Sequence, residues 1–299
     1  MSKTLFDSLE TMLETEPFVI VDTCTFDSNQ GYGKAGFLEQ MYDFKEMRSV
    51  PLDIIEREKD CIAWAATLTQ KLNVYVTQQV YNEIERKVSK IQQSIQFLQR
   101  KISGRHKRIN PNETTQEEQT SPLASELAEN AFTMLKQLKQ KILHFKDSTV
   151  YETLFKFFAE LGKLDPSIYL KKKQRMHDTK NPYFFGDESI AAAIYYRALT
   201  GQGSCTTAAT TDHDIKKLVR TAHILFETID NKEFHEKTKS HRCQVYLPER
   251  QGEQFFYRPY LDTEEPQSMG TLTRLEEKLG GQTVNRALEL AYDTFNRVC

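Results

Sequence analysis

Residues 18–26 read FVIVDTCTF: four apolar positions run straight into Asp22, which small hydroxyl and thiol side chains follow. Acids are depleted within strands and common just beyond them. The stretch therefore predicts a buried strand that stops at Asp22. Two roles suit such an acid. It opens a turn or caps a following helix, or it stands at the carboxyl edge of a parallel sheet, where open α/β folds gather their ligands. The choice depends on whether other carboxylates reach the same edge.

Outward from that strand, the glycines of NQGYGKAG (29–36) mark a loop. PLDIIEREKDCIAWAATLTQKL (51–72) has helical period, and NVYVT (73–77) is a short strand. Val80, Ile84, Val88, Ile91, Ile95, Leu98 and Ile102 then recur at steps of three and four. About 25 residues of such a helix would extend roughly 38 Å. GRHKRINPNETTQEEQTSP (104–122) lacks periodicity and reads as a loop. A second stripe on Leu127, Ala131, Met134, Leu138, Ile142 and Phe145 predicts a helix antiparallel to the first. YETLFKFFAELGKL (151–164) is helical, 167–182 a basic connector, and DESIAAAIYYRALTG (187–201) a compact helix. SCTTAATTD (204–212), HILFETI (223–229), CQVYL (243–247) and QFFYR (254–258) read as strands, with a closing helix at 283–298. Alternating strands and helices favour an α/β fold, a three-layer αβα arrangement around a mainly parallel sheet. Residues 1–242 form one domain, interrupted by a helical hairpin at 86–150, and 243–299 add a β/α extension packed on it.

Composition excludes several classes. Forty basic side chains against 42 acidic ones leave a net charge of −2 over 299 residues, so any pull on a polyanion must be local. No 18-residue apolar run exists, and the opening MSKTLFDSLETMLETEP has no apolar core of a signal peptide. Five scattered cysteines, never in a CxxC pair, argue against a disulfide framework or a zinc site. A cytoplasmic protein that does not enter membranes is expected.

Four acids then stand out. Asp22 ends the first strand, Glu83 lies beside the apolar stripe after the second, Asp187 opens the small-residue helix, and Asp212 closes the strand at 204–212, with Asp214 just beyond. Each has an ordinary structural role open to it: helix caps for Asp187, Asp212 and Asp214, and an ion pair with Lys87 for Glu83. In a parallel sheet, however, strand ends and the first turns of the following helices share an edge. Two carboxylates about 4 Å apart repel by roughly 4 kcal/mol at an effective dielectric near 20. Several together require protons or a cation. An oxygen-rich set with no His or Cys ligand suits Mg²⁺ or Mn²⁺.

In order, DTCTF, VTQQVYNEIER, GDESIAAA and TTDHDIKKL resemble the motifs of the PIN-domain nucleases. Asp22 with Thr23, Glu83, Asp187 and Asp212 with Thr210 match the family's four acidic motifs, and Asp214 matches a frequent extra acid. The resemblance implies metal-dependent hydrolysis of phosphodiester bonds, usually of RNA, leaving a 5′-phosphate and a 3′-hydroxyl. It also implies Asp22 and Asp212 as central metal ligands, Asp187 and Glu83 binding directly or through water, and Thr23, Thr210 and Asp214 orienting them. Cys24 departs from the family, which often has Asn or Ser there, and so do the hairpin and the tail beyond 243.

A nuclease of near-neutral charge needs local cations. Residues 86–108 carry eight Lys or Arg and no acid. Arg100, Lys101, Arg105, Lys107 and Arg108 at the hairpin tip, with Lys171, Lys172 and Lys173 of KKKQRMH, are the expected RNA contacts. Tyr183, Phe184 and Phe185 suit either base stacking or a core. An exposed hairpin stripe would offer a surface to a second copy or a protein partner. Three rival functions compete with this one. A haloacid-dehalogenase-type phosphatase needs an Asp where Cys24 stands. A flap-type DNA nuclease usually has more acids and a helix-hairpin clamp. A PIN-like scaffold would use the hairpin as its partner surface.

Overall fold

The computed structural model describes residues 8–26, 52–89, 93, 96, 116–170, 173, 185–238, 240–251, 254–262 and 271–298. The strands are β1 (Val19–Val21), β2 (Val74–Tyr75), β3 (Cys205–Ala209), β4 (Arg242–Gln251) and β5 (Gln254–Asp262). They form one sheet in the order β2-β1-β3-β4-β5. The β1–β2, β1–β3 and β3–β4 pairs are parallel; only β4–β5 is antiparallel, with a register shift between Val245 and Tyr246. The chain is thus an α/β protein with a mostly parallel sheet.

Local sequence explains the pairing. All three residues of β1 are buried, as a strand covered on both faces requires. β3 contains no bulky side chain, yet Thr206, Thr207, Ala208 and Ala209 are buried. The helix packed on it, α7 (Gly186–Leu199), presents Ala191, Ala192 and Ala193, all fully buried. Small residues on both sides let helix and strand approach closely.

The other helices are α1 (Leu9–Thr15), α2 (Leu52–Gln70), α3 (78–89), α4 (Gln116–Lys139), α5 (Ser148–Leu164) and α6 (166–170). After α7 come α8 (His213–Thr238), α9 (Leu272–Leu279) and α10 (Gly281–Val298). Past α4, Lys141 and Leu143 exchange backbone bonds with Val76, so the segment rejoins the sheet at its β2 edge.

Several expectations require correction. HILFETI (223–229) is not a strand but the middle of α8. Its run of buried residues from His223 to Phe226 arises because α8 is covered by α5, α7, α9, α10 and the β4–β5 edge. A helix enclosed on so many sides loses its polar face and imitates a buried strand. The loop expected over 104–122 is helical from Gln116, through Pro122, and α9 lies in a stretch given no structure by its sequence. The basic connector opens as the helical turn α6. The α4 stripe of Leu127, Ala131, Met134 and Leu138 is buried, and α4 packs along α2. The hairpin tip lies outside the described residues. No helix among them is long and apolar enough to cross a membrane.

Candidate metal centre

Register places the first acid. The β1–β3 pairing continues one residue past the strand, with Asp22 N–H donating to Ala209 O at 3.1 Å. Asp22 therefore leaves the sheet beside Thr210. Its Oδ1 accepts from Thr23 N–H (2.7 Å), and its Oδ2 accepts from the Thr210 hydroxyl (2.9 Å) and the Cys24 thiol (2.9 Å). A 3-10 turn at Thr23–Phe26 carries the chain away, anchored by Thr25 on Ala209 O and by the Trp64 indole on Thr25 O.

The second acid arrives through α7. Phe185, at its N-cap, has φ of 56°, the only positive φ of a non-glycine residue among those described. Such a conformation costs on the order of 1–3 kcal/mol and persists only where the surroundings enforce it. Two contacts do so. The Phe185 ring meets Phe155 edge-on, and Ser189 joins Thr77, just before α3, through a 2.6 Å hydroxyl pair. The helix start is thereby pressed onto α3. A Cβ on Gly186 would lie 3.6 Å from Glu83 Oε2, so the Glu83 carboxylate sits against the turn that carries Asp187.

The third group follows β3. Asp212 N–H donates to Thr210 Oγ1 (2.9 Å), and Asp212 Oδ1 accepts from Asp214 N–H (3.1 Å), which makes Asp212 the cap of α8. Carboxylate oxygens of Asp187, Asp212 and Asp214 lie within 4.8 Å of one another. Asp22 is buried, as Asp214 is, and stands near enough to Glu83 and Asp212 to feel both charges.

All five acids thus gather at the carboxyl edge of the sheet, from the ends of β1 and β3 and the starts of α3, α7 and α8. The ordinary roles are present too: Glu83 pairs with Lys87 (3.6 Å) and Asp214 with Lys217 (3.1 Å). The Thr23 hydroxyl, buried beside Asp22, has no hydrogen-bond partner. An all-oxygen donor set of this kind fits a hard divalent cation. Among the expected nucleic-acid contacts, Lys173 is exposed, while Arg100, Lys101, Arg105, Lys107, Arg108, Lys171 and Lys172 lie outside the described residues, as do Tyr183 and Phe184.

Cys24 is the residue that sequence reasoning undervalued. Besides donating to Asp22, its sulfur lies 3.4 Å from Thr210 Oγ1 and accepts from Thr211 N–H at 3.1 Å. It ties the β1 end to the β3 end. The signal for this role was its place two residues after the acid. Burial and the adjacent Asp22 carboxylate push its thiol pKa well up, so it acts here as a neutral donor.

Burial raises the pKa of Asp22 first, and the Glu83 and Asp212 charges add to the rise, against the hydrogen bonds from Cys24 and Thr210. A carboxyl with a raised folded-state pKa contributes stability that is complete below its ordinary value of 3.8 and lost as pH climbs through the folded-state value. Asp22→Asn is therefore expected to raise the thermal midpoint of the metal-free protein at pH 7, and the gap should close on acidification toward pH 4. Equal destabilisation at both pH values would contradict a strained carboxylate.

No family model, curated protein or solved structure matches the chain.

Proposed function

We propose that this chain is a metal-dependent ribonuclease of PIN-like, three-layer αβα architecture, acting on single-stranded RNA with Mg²⁺ or Mn²⁺. The observation that carries the reading is the gathering of Asp187, Asp212 and Asp214 within 4.8 Å, backed by Asp22 and Glu83, at the ligand-binding edge of a parallel sheet. The order of the acidic motifs supports the PIN-like assignment.

Asp187, Asp212 and Asp214 would hold the ion, with Glu83 and Asp22 beside them. A divalent ion held there would lower the pKa of a water molecule and supply positive charge to the attacked phosphate. The protein's own part is orientation. Thr210 Oγ1 donates to Asp22 and accepts from the Asp212 amide, so one hydroxyl fixes both acids. Cys24 donates to the same Asp22 Oδ2, while Lys87 and Lys217 pair with Glu83 and Asp214.

Incubating the purified protein with generic single-stranded RNA and DNA in Mn²⁺, Mg²⁺ or chelator tests the proposal. Cleavage of RNA in Mn²⁺ that chelator abolishes is expected, with little turnover of a small phosphomonoester. Phosphomonoester turnover without cleavage would favour a phosphatase, and inertness toward every substrate would overturn the enzyme reading.

A further inference from the structure

Away from the acidic centre, three side chains of α8 converge on a single oxygen. His223 Nε2 lies 3.4 Å from Glu227 Oε1, and His235 Nε2 lies 3.4 Å from the same atom. His223 and Glu227 are neighbours at i, i+4 on one helix face. His235 reaches them by another route. On a straight helix His223 and Phe234 would stand roughly 16 Å apart along the axis. Their rings nevertheless meet edge-on, with centroids 5.1 Å apart, and Phe226 and Phe234 are 5.8 Å apart. α8 therefore bends between Glu227 and Phe234 and brings its last turns back toward His223.

We infer that this bend carries a second metal site, a Zn²⁺ ion held by His223, Glu227 and His235 with water in the fourth position. Two imidazoles and one carboxylate suit zinc, unlike the all-oxygen set at the sheet edge. Donors bound at roughly 2.0–2.1 Å to a tetrahedral zinc stand about 3.4 Å from one another. Each imidazole already has that separation from the Glu227 oxygen. The third edge, between the two imidazoles, is still open. Among the described residues, only Asp187, Asp212 and Asp214 have three ligand atoms all within 4.8 Å of one another. His235, with 54% of its side chain exposed, has room to swing inward, whereas His223 is buried and packed against Phe234. The hydrogen bond from His223 holds the Glu227 carboxyl below its ordinary range, against burial, so the ion would meet a carboxylate. A plain helical ion pair needs His223 alone; His235 is brought to the same oxygen across the bend. The ion would staple the two arms of α8. Cysteine spacing gives no sign of such a site, and HILFETIDNKEFH (223–235) hides it in a run that imitates a strand.

The acidic centre also attracts divalent ions, so the test begins from full-length D187N/D212N protein, titrated calorimetrically with Zn²⁺. One ion per chain should bind and raise the thermal midpoint. Adding H235Q should weaken binding by more than about 100-fold, beyond the 10–100-fold that losing a supporting partner costs, and should abolish the thermal shift. Adding E227Q instead, which keeps a hydrogen-bonding group beside His223, should do the same. In the chain with both acids intact, H235Q should leave Mn²⁺ affinity unchanged, which separates a lost ligand from a damaged fold. No zinc uptake by D187N/D212N, or equal uptake with and without His235, would overturn the site. So would an H235Q variant that loses Mn²⁺ binding along with zinc. None of these outcomes depends on whether the protein cleaves RNA.

Discussion

Asp212→Asn should reduce Mn²⁺-dependent RNA cleavage by about 10³-fold, the upper range for losing one preorganised electrostatic group, while RNA affinity in chelator stays within about twofold. The substitution isolates charge from structure. Asp212 caps α8 by accepting from Asp214 N–H, and Asn caps a helix as well as Asp does. Its backbone N–H, which bonds Thr210, is untouched. The fold should therefore persist, and the loss should appear in turnover. Activity within tenfold of the parent would place the chemistry elsewhere.

Phe226→Ala should be the most damaging core substitution, costing about 3–5 kcal/mol and lowering the thermal midpoint on the order of 10 °C. Phe226 is fully buried, with its ring 5.1 Å from Phe157, 5.5 Å from Tyr195, 5.8 Å from Phe234 and 5.9 Å from Phe295. It joins α5, α7, α8 and α10 at one point. Thr228, two residues on, is exposed and bonds back to Ile224 O, as in a helix. Thr228→Ala should cost less than about 0.5 kcal/mol. In a strand, residues 226 and 228 would share a face, and both substitutions would hurt. Chemical denaturation of the two variants reads the difference.

That pair also shows where the sequence was informative. FVIVD named its own strand and edge, because a strand covered on both faces must be apolar throughout and must end where an acid begins. The small residues of α7 and the Thr-rich β3 were legible for a related reason: close packing of helix on strand demands them. HILFETI misled because enclosure on many sides removes the polar face by which helical period is recognised. The start of α4 was hidden by the opposite condition, since QEEQTSP has no apolar residue to betray a period.

The acids were legible one by one, from their places after strands and at helix starts. Their grouping was not. Sequence pointed to Asp22 and Asp212 as the centre, whereas the carboxylates that converge within 4.8 Å are Asp187, Asp212 and Asp214, and Asp22 already accepts from three donors. Which acids meet is decided by the pinning of α7 beside α3 through Ser189 and Thr77, and against α5 through Phe185 and Phe155, long-range contacts that no spacing rule encodes. Cys24 was hidden for the same reason, because its partners Thr210 and Thr211 are remote in the chain.

The most direct test is a titration of the metal-free protein with Mn²⁺, followed by electron paramagnetic resonance of the free ion alongside thermal unfolding. Saturable binding is predicted, with stability rising by about 2.7 kcal/mol at a hundredfold excess over the dissociation constant. Both effects should vanish in the Asp187→Asn/Asp212→Asn double variant, which should itself unfold at a higher temperature than the metal-free parent. Failure of the parent to take up Mn²⁺, or equal uptake by the double variant, would contradict a cation-binding role for these carboxylates.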